Sequence, residues 1–200
     1  MILWDVDTQV DFMLPEGKLY VPGAEETAPA MGRLVSAARA AGLVHVASAD
    51  DHELTDAEIS SEPDFSTTYP PHCLRGTRGA RRIPETEQAE PVPLGLELVP
   101  ERYLEGREYL LLKKHFDVFT NPHAGLLLER LDPDAVIVFG VATDVCDHAT
   151  ILGLRERGRR VIFVEDAARG LDETRTAACL ADWRDRGVIF STVDGVLSLI

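Results

Sequence analysis

The chain is poor in cations, in cysteines and in long apolar runs, and each shortage closes off a class of function. Only 20 of its 200 residues are Lys or Arg, against 34 Asp and Glu, for a net charge of −14. A surface that tracks phosphates needs clustered basic side chains, so neither nucleic acid nor an anionic membrane is an expected partner. No apolar stretch approaches the roughly 18–20 residues that span a bilayer. The opening "MILWDVDTQVDF" has no basic stretch and carries three acids within eleven residues, unlike a secretory leader. Three cysteines, Cys73, Cys146 and Cys179, are an odd number at irregular spacing. They read as free thiols in a reducing compartment, and a cytoplasmic location is expected. Low-complexity tracts and internal repeats are also lacking. What is present, 45% hydrophobic and 27% charged residues, is the composition of a globular protein whose partner is a small molecule. The length fits one domain over residues 1–200.

Short apolar runs alternate with amphipathic stretches. The β-like runs are 1–6, 43–49, 109–113, 135–140, 160–166 and 188–193, and helical patterns cover 25–42, 122–131, 143–158 and 172–187. That rhythm predicts an α/β fold, a parallel sheet with helices on both faces. Right-handed crossovers then bring every strand's C-terminal end to one edge, where such folds bind ligands. Asp7, Asp50, His52, Lys113 and Cys146 all fall on that rim. The segment at about 51–108 breaks the rhythm and is too long for an idle connection, so it is expected to fold over the rim as a lid or to carry part of the site.

Cys146 opens a predicted helix, where unpaired backbone N–H groups favour a thiolate, although position alone does not separate a nucleophile from a small core residue. Lys113 ends an apolar strand and would stabilise that thiolate; Lys114 competes with it, and a snorkelling surface lysine is the plain alternative. Asp7, with Asp5 and Asp11 as neighbours that could replace it, is a candidate proton acceptor, or else a turn cap. Asp50, His52 and His72 offer mixed oxygen and nitrogen donors suited to Zn²⁺, Fe²⁺ or Mn²⁺, with Asp51 and Cys73 adjoining. "WDVDT" also imitates the D-x-D of aspartate-nucleophile phosphatases, but Gln9 stands where that motif needs Thr or Val. A non-catalytic binding protein would leave the joint presence of an acid, a lysine and a cysteine unexplained.

Taken together, "DTQVDF" (Asp7–Phe12), "DDH" (Asp50–His52), "YPPHC" with "GTRGA" (Tyr69–Ala80), "KKHFDVF" (Lys113–Phe119) and "GVATDVC" (Gly140–Cys146) resemble the isochorismatase-like cysteine hydrolase superfamily, and within it the nicotinamidases. The motifs occur in the family's order along nearly the whole chain. The resemblance implies a doubly wound sheet of six parallel strands in the order 3-2-1-4-5-6. It also implies a catalytic triad of Asp7, Lys113 and Cys146, and a cis peptide at Val141–Ala142 that turns the N–H groups of Ala142 and Cys146 into an oxyanion hole. Asp7 would take the thiol proton and Cys146 would attack a carboxamide to give a thioester. One divalent transition-metal ion, Zn with Fe or Mn as alternatives, would sit on Asp50, His52 and His72 and orient the substrate ring through its nitrogen. Phe12, Tyr69 and Phe116 would contact the substrate. Family habit implies a homo-dimer or tetramer.

Some residues depart from the nicotinamidase pattern. Tyr69 replaces a common Trp, Asp117 a frequent Ser and Asp147 a usual Val, and no fourth metal-proximal histidine can be matched. An extra carboxylate near the pocket would suit a polar or cationic amide better than a neutral ring. The alternatives within the resemblance are therefore an amidase for another small amide, or an isochorismatase acting on a vinyl ether. The latter reaction generally proceeds without the cysteine and the metal trio.

Overall fold

The computed structural model describes residues 1–200 apart from the side chains of Glu101 and Tyr103. Seven strands form one parallel sheet: β1 (Ile2–Val6), β2 (Val44–Asp50), β3 (Val92–Leu94), β4 (Glu108–Lys113), β5 (Val136–Val141), β6 (Val161–Arg169) and β7 (Ile189–Ser191), in the order β3-β4-β2-β1-β5-β6-β7. Six of them are the predicted runs, in the order the resemblance implied. The seventh, β3, lies inside the segment expected to break the rhythm. Its three residues "VPL" carry too little apolar pattern to mark a strand, and Pro93, which lacks an N–H, fits an edge position beside β4.

Both faces of the sheet are covered, which explains why β1 and β5 are buried at every residue. Alternation sends Leu3, Ile137 and Phe139 into one core layer, together with Met31, Leu34 and Val35 of α2 (Ala28–Ala40) and Val196 of α6 (Val193–Leu197). Ile2, Trp4, Val6, Val136 and Val138 enter the other layer. There they meet Leu127 and Leu128 of α3 (Pro122–Leu131), Ile151 and Leu154 of α4 (Cys146–Glu156), and Trp183 of α5 (Glu173–Asp185). Local signals start the helices: the Asn121 side chain accepts from His123 N–H at 2.8 Å ahead of Pro122, and Asp172 accepts from Arg175 N–H at 2.8 Å. A single-turn helix, α1 (Val10–Met13), follows β1.

The chain runs from β1 outward through β2, then returns to the far side of β1 as β5, so the strand order reverses between β1 and β5. That reversal opens a crevice at the C-terminal edge, the place where doubly wound sheets hold ligands. Residues 51–91 cross this edge without a helix and are tied down by short bridges: His52 to Leu74, Ile59 to Tyr69 and Gln9 to Arg82. No helix among the described residues is long and apolar enough to cross a membrane.

Candidate active site

Four strand ends supply the site. Asp7 follows β1, Asp50 ends β2, Lys113 ends β4, and Cys146 begins α4 after β5. Strand alternation separates the paired lysines: Lys113 is fully buried, whereas Lys114 faces the other way to Asp56 at 2.9 Å. The Lys113 ammonium lies 2.8 Å from Asp7 Oδ2, in contact with Asp50 Oδ1, and 3.7 Å from Cys146 Sγ. Carboxylate oxygens of Asp7 and Asp50 and the Cys146 sulfur lie within 4.8 Å of one another. Ser48 Oγ donates to Asp7 Oδ1 at 2.7 Å and fixes that carboxylate, whose residue has a φ of 49°. Gly140 lets β5 close against β1, since a Cβ there would stand 2.1 Å from the Val6 carbonyl oxygen. The two acids neighbouring Asp7 in sequence are braces. Asp5 pairs with Arg82, and Asp11 accepts from Cys73 N–H at 2.7 Å.

Electrostatics divide the roles of the two flanking carboxylates. Burial raises the proton affinity of Asp7, the Lys113 charge opposes that, and Asp50 adds to it; the net direction is up. Burial also acts on Asp50, but Lys113 and the neighbouring imidazoles of His52 and His72 overcome it and hold its carboxyl well below the usual range. Burial works against charge on Lys113, yet Asp50 and Asp7 keep its proton held well above the ordinary value. The Cys146 thiol is pushed up by burial, with Lys113 pulling against it and Asp7 and Asp50 reinforcing it. Burial thus favours the neutral thiol on Cys146, and of the two carboxylates Asp7 is the one whose proton affinity is raised. The Val141–Ala142 peptide is cis. The Ala142 carbonyl accepts from Val145 N–H at 2.9 Å and Asp147 N–H at 3.1 Å, leaving the Cys146 N–H at the open start of the helix.

Beside this cluster Asp50, His52, Glu58 and His72 bring four ligand atoms within 4.8 Å of one another, all four residues buried. His72 Nδ1 bonds the Pro70 carbonyl at 2.7 Å and His52 Nδ1 faces Asp56 at 3.3 Å, which turns both Nε2 atoms inward. His52 Nε2 has no hydrogen-bond partner, and it stands 3.7 Å from Asp50 Oδ2 and 3.8 Å from Glu58 Oε1. Two inward imidazole nitrogens and two carboxylates fit a divalent transition metal. Glu58 was not legible in the sequence because it lies six residues beyond His52 in an irregular loop, with no motif around it. Cys73, an alternative ligand, is fully buried outside this group, and Asp51 is held by the Arg75 guanidinium.

The pocket over Cys146 is lined by Phe12, Leu19, Asp50, Glu58, Tyr69, His72, Ala142, Val145 and Leu171, with a volume of about 20 Å³. That is room for one water molecule and no ring. Nearby, Arg175 donates to the Phe65 carbonyl at 3.1 Å and to Asp144 at 3.0 Å, pinning the turn before Tyr69 to the start of α5. Phe12 and Tyr69 line the pocket. Phe116 does not: the chain bends after β4, its ring packs on the α4-side core, and its N–H donates to Glu58 at 2.8 Å. Asp117 caps the next turn by accepting from Phe119 N–H at 2.9 Å. Asp147 is wholly buried and outside the lining. The extra carboxylate in the pocket is thus Glu58, and neither Asp117 nor Asp147. Two further residues brace the rim. Gln9 bonds both backbone groups of Asp50, at 2.7 and 2.8 Å, and also the Ala80 carbonyl at 2.9 Å. Leu171 joins the pocket lining from a connection whose sequence carries no site signal.

A family model described as the isochorismatase domain matches residues 2–195. The nicotinamidase/pyrazinamidase of Mycobacterium tuberculosis is 30% identical over 186 residues, covering 92% of this chain and 94% of that protein. The solved structure of a pyrazinamidase of Pyrococcus horikoshii in complex with zinc superposes with a TM-score of 0.75 at 23% identity, covering 96% of this chain and 98% of the other. That of N-carbamoylsarcosine amidase from Thermoplasma acidophilum gives 0.74 at 23%, covering 96% of both chains. With the family model spanning nearly its whole length and the sheet order matching, the chain belongs to the isochorismatase family and has the isochorismatase-like hydrolase fold.

Proposed function

We infer that the protein is a cysteine amidohydrolase that converts nicotinamide and water to nicotinate and ammonia. The observation that carries this reading is the buried Lys113 ammonium, shared by Asp7, Asp50 and the Cys146 sulfur. The similarity to the Mycobacterium tuberculosis enzyme supports the substrate. Asp7 takes the thiol proton as Cys146 Sγ bonds to the carboxamide carbon, and the oxyanion turns to the N–H groups of Ala142 and Cys146. Asp7 then gives the proton to the leaving nitrogen, the carbon–nitrogen bond breaks, and ammonia departs from a thioester. Asp7 next draws a proton from water, whose oxygen attacks the thioester; the carbon–sulfur bond breaks and the proton returns to sulfur. Lys113 keeps its proton throughout, holding Asp7 in place and balancing charge on sulfur. Asp50, His52, Glu58 and His72 would hold a divalent metal, which supplies a Lewis-acid contact that orients the ring nitrogen.

Ammonia release tests this directly. Cys146→Ala should fold normally and release no ammonia from nicotinamide; undiminished release would sink the thioester route. Metal analysis should find about one transition-metal ion per chain, lost in a His52→Ala, His72→Ala double variant. One observation favours a second reading: Glu58 places a carboxylate in the pocket lining, which suits a more polar or cationic small amide. A blank for nicotinamide with turnover of another amide in a substrate panel would select that reading.

A further inference from the structure

The two inward imidazoles beside the Cys146 pocket are braced differently. His72 Nδ1 bonds a backbone carbonyl, that of Pro70 at 2.7 Å, so the chain itself fixes its ring. His52 Nδ1 faces a side chain instead, Asp56 Oδ2 at 3.3 Å, on a loop residue outside the four-residue ligand group. That one Asp56 oxygen gathers three donors: the His52 ring, the Glu53 N–H at 2.8 Å and the Lys114 ammonium at 2.9 Å. Lys114 is anchored in turn on the Asp51 carbonyl. The adjacent lysines therefore serve two centres, since Lys113 ends β4 inside the catalytic cluster and Lys114 turns to this loop. The side chains of Asp56 and Lys114 are only 18% and 21% exposed, so water competes weakly for their contacts.

A neutral imidazole carries one N–H, and a metal takes the nitrogen that has none. A carboxylate on the Nδ1 side keeps the proton there and leaves His52 Nε2, which has no hydrogen-bond partner, free to ligate. We propose that Asp56 and Lys114 are positioning residues for the metal: Lys114 holds the Asp56 carboxylate, and Asp56 holds His52 in the ligating tautomer and orientation. The proposal rests on the reading of Asp50, His52, Glu58 and His72 as metal ligands. The sign of the Lys114 effect separates it from plain electrostatics. By charge alone an ammonium near the site repels a cation, so its removal would tighten metal binding. Acting through Asp56, its removal loosens binding.

Competition for Zn²⁺ between the intact metal-free protein and a chromophoric chelator tests this. The wild-type protein should bind about one Zn²⁺ per chain. Asp56→Asn keeps the shape and one oxygen but loses the charge, and should weaken binding by about tenfold or more; Lys114→Met should weaken it by about threefold or more. The double variant should be no weaker than Asp56→Asn alone, because the two residues act in series. Glu53→Gln removes a neighbouring carboxylate that is paired with Arg75 instead, and should change binding by no more than about twofold. Unchanged or tighter binding in Lys114→Met overturns the proposal, as does a loss in Asp56→Asn that Glu53→Gln matches. A loss that tracks a lower melting temperature of the metal-free variants also overturns it, by assigning the pair to folding. If the wild-type protein binds no Zn²⁺, the metal reading itself fails and takes the proposal with it.

Discussion

Three buried aspartates, Asp7, Asp50 and Asp147, lie close to Cys146 in sequence or in space, yet the protein treats them differently. Asp7 and Asp50 sit on either side of the Lys113 ammonium and share it. Asp147, the residue after Cys146, has no cation beside it, and neither of its oxygens has a well-formed hydrogen bond. Burial is the leading influence on all three. On Asp147 nothing answers it: Asp7, Asp144 and Asp5 push the same way and Thr143 gives little relief, so its carboxyl is held well above the usual range and stays neutral. On Asp50 the surrounding donors win, and on Asp7 the net direction stays upward against Lys113. The same side chain at the same depth is pushed towards the anion or towards the neutral acid according to what faces it.

Removing the shared cation breaks the comparison most severely. Lys113→Met keeps the length and apolar stem but leaves Asp7 and Asp50 as uncompensated buried charges. A loss of about 3–5 kcal/mol in urea unfolding is expected, with amide hydrolysis falling by about three orders of magnitude or more. A variant near wild-type stability would show that the two carboxylates do not depend on the ammonium. Asp147→Asn acts in the opposite direction. A carboxyl whose folded proton affinity is raised keeps its proton in the native state while the unfolded chain releases it. Wild-type stability therefore falls as pH rises from the ordinary carboxylate range through the raised value. The variant lacks that slope, so its advantage should widen by about 1.4 kcal/mol per pH unit across the window. Unfolding curves at pH 5, 6, 7 and 8 that stay parallel would show Asp147 to be already ionised or paired.

How much of this was legible in the sequence follows the range of the interactions. Strand runs such as "AVIVF" announce burial on both faces, and the rim positions of Asp7, Asp50, Lys113 and Cys146 follow from strand ends alone. Alternation along β4 left Lys113 and Lys114 as competitors, and the motif register implied by the resemblance chose Lys113. Glu58 and Leu171 were hidden because they reach the pocket from irregular connections, where no period links sequence position to direction. Phe116 and Asp117 misled for the related reason that the chain bends after β4, so proximity to Lys113 in sequence did not carry over to the pocket. Asp147 could be seen as unusual, but whether it faced substrate or core depended on the rotation of α4, which a single residue does not reveal.

The smallest expected effect concerns access and not charge. A cavity of about 20 Å³ cannot admit the proposed aromatic amide, so that reading requires the lining to open, and the turn at 64–68 adjoins the lining residue Tyr69. That turn is internally firm, since Asp64 accepts N–H bonds from Ser66, Thr67 and Thr68 at 2.8–2.9 Å. Its tie to the body is the Arg175 bond to the Phe65 carbonyl, from a side chain 46% exposed. A partly exposed bond of this kind contributes about 0.5–1 kcal/mol, so Arg175→Ala should raise the open population roughly two- to fivefold. Amide hydrogen exchange at residues 59–69 should quicken by that factor, while β1 and β5 keep their protection. Unchanged exchange in the 59–69 segment would mean that Tyr69 and its neighbours, rather than Arg175, hold the pocket closed.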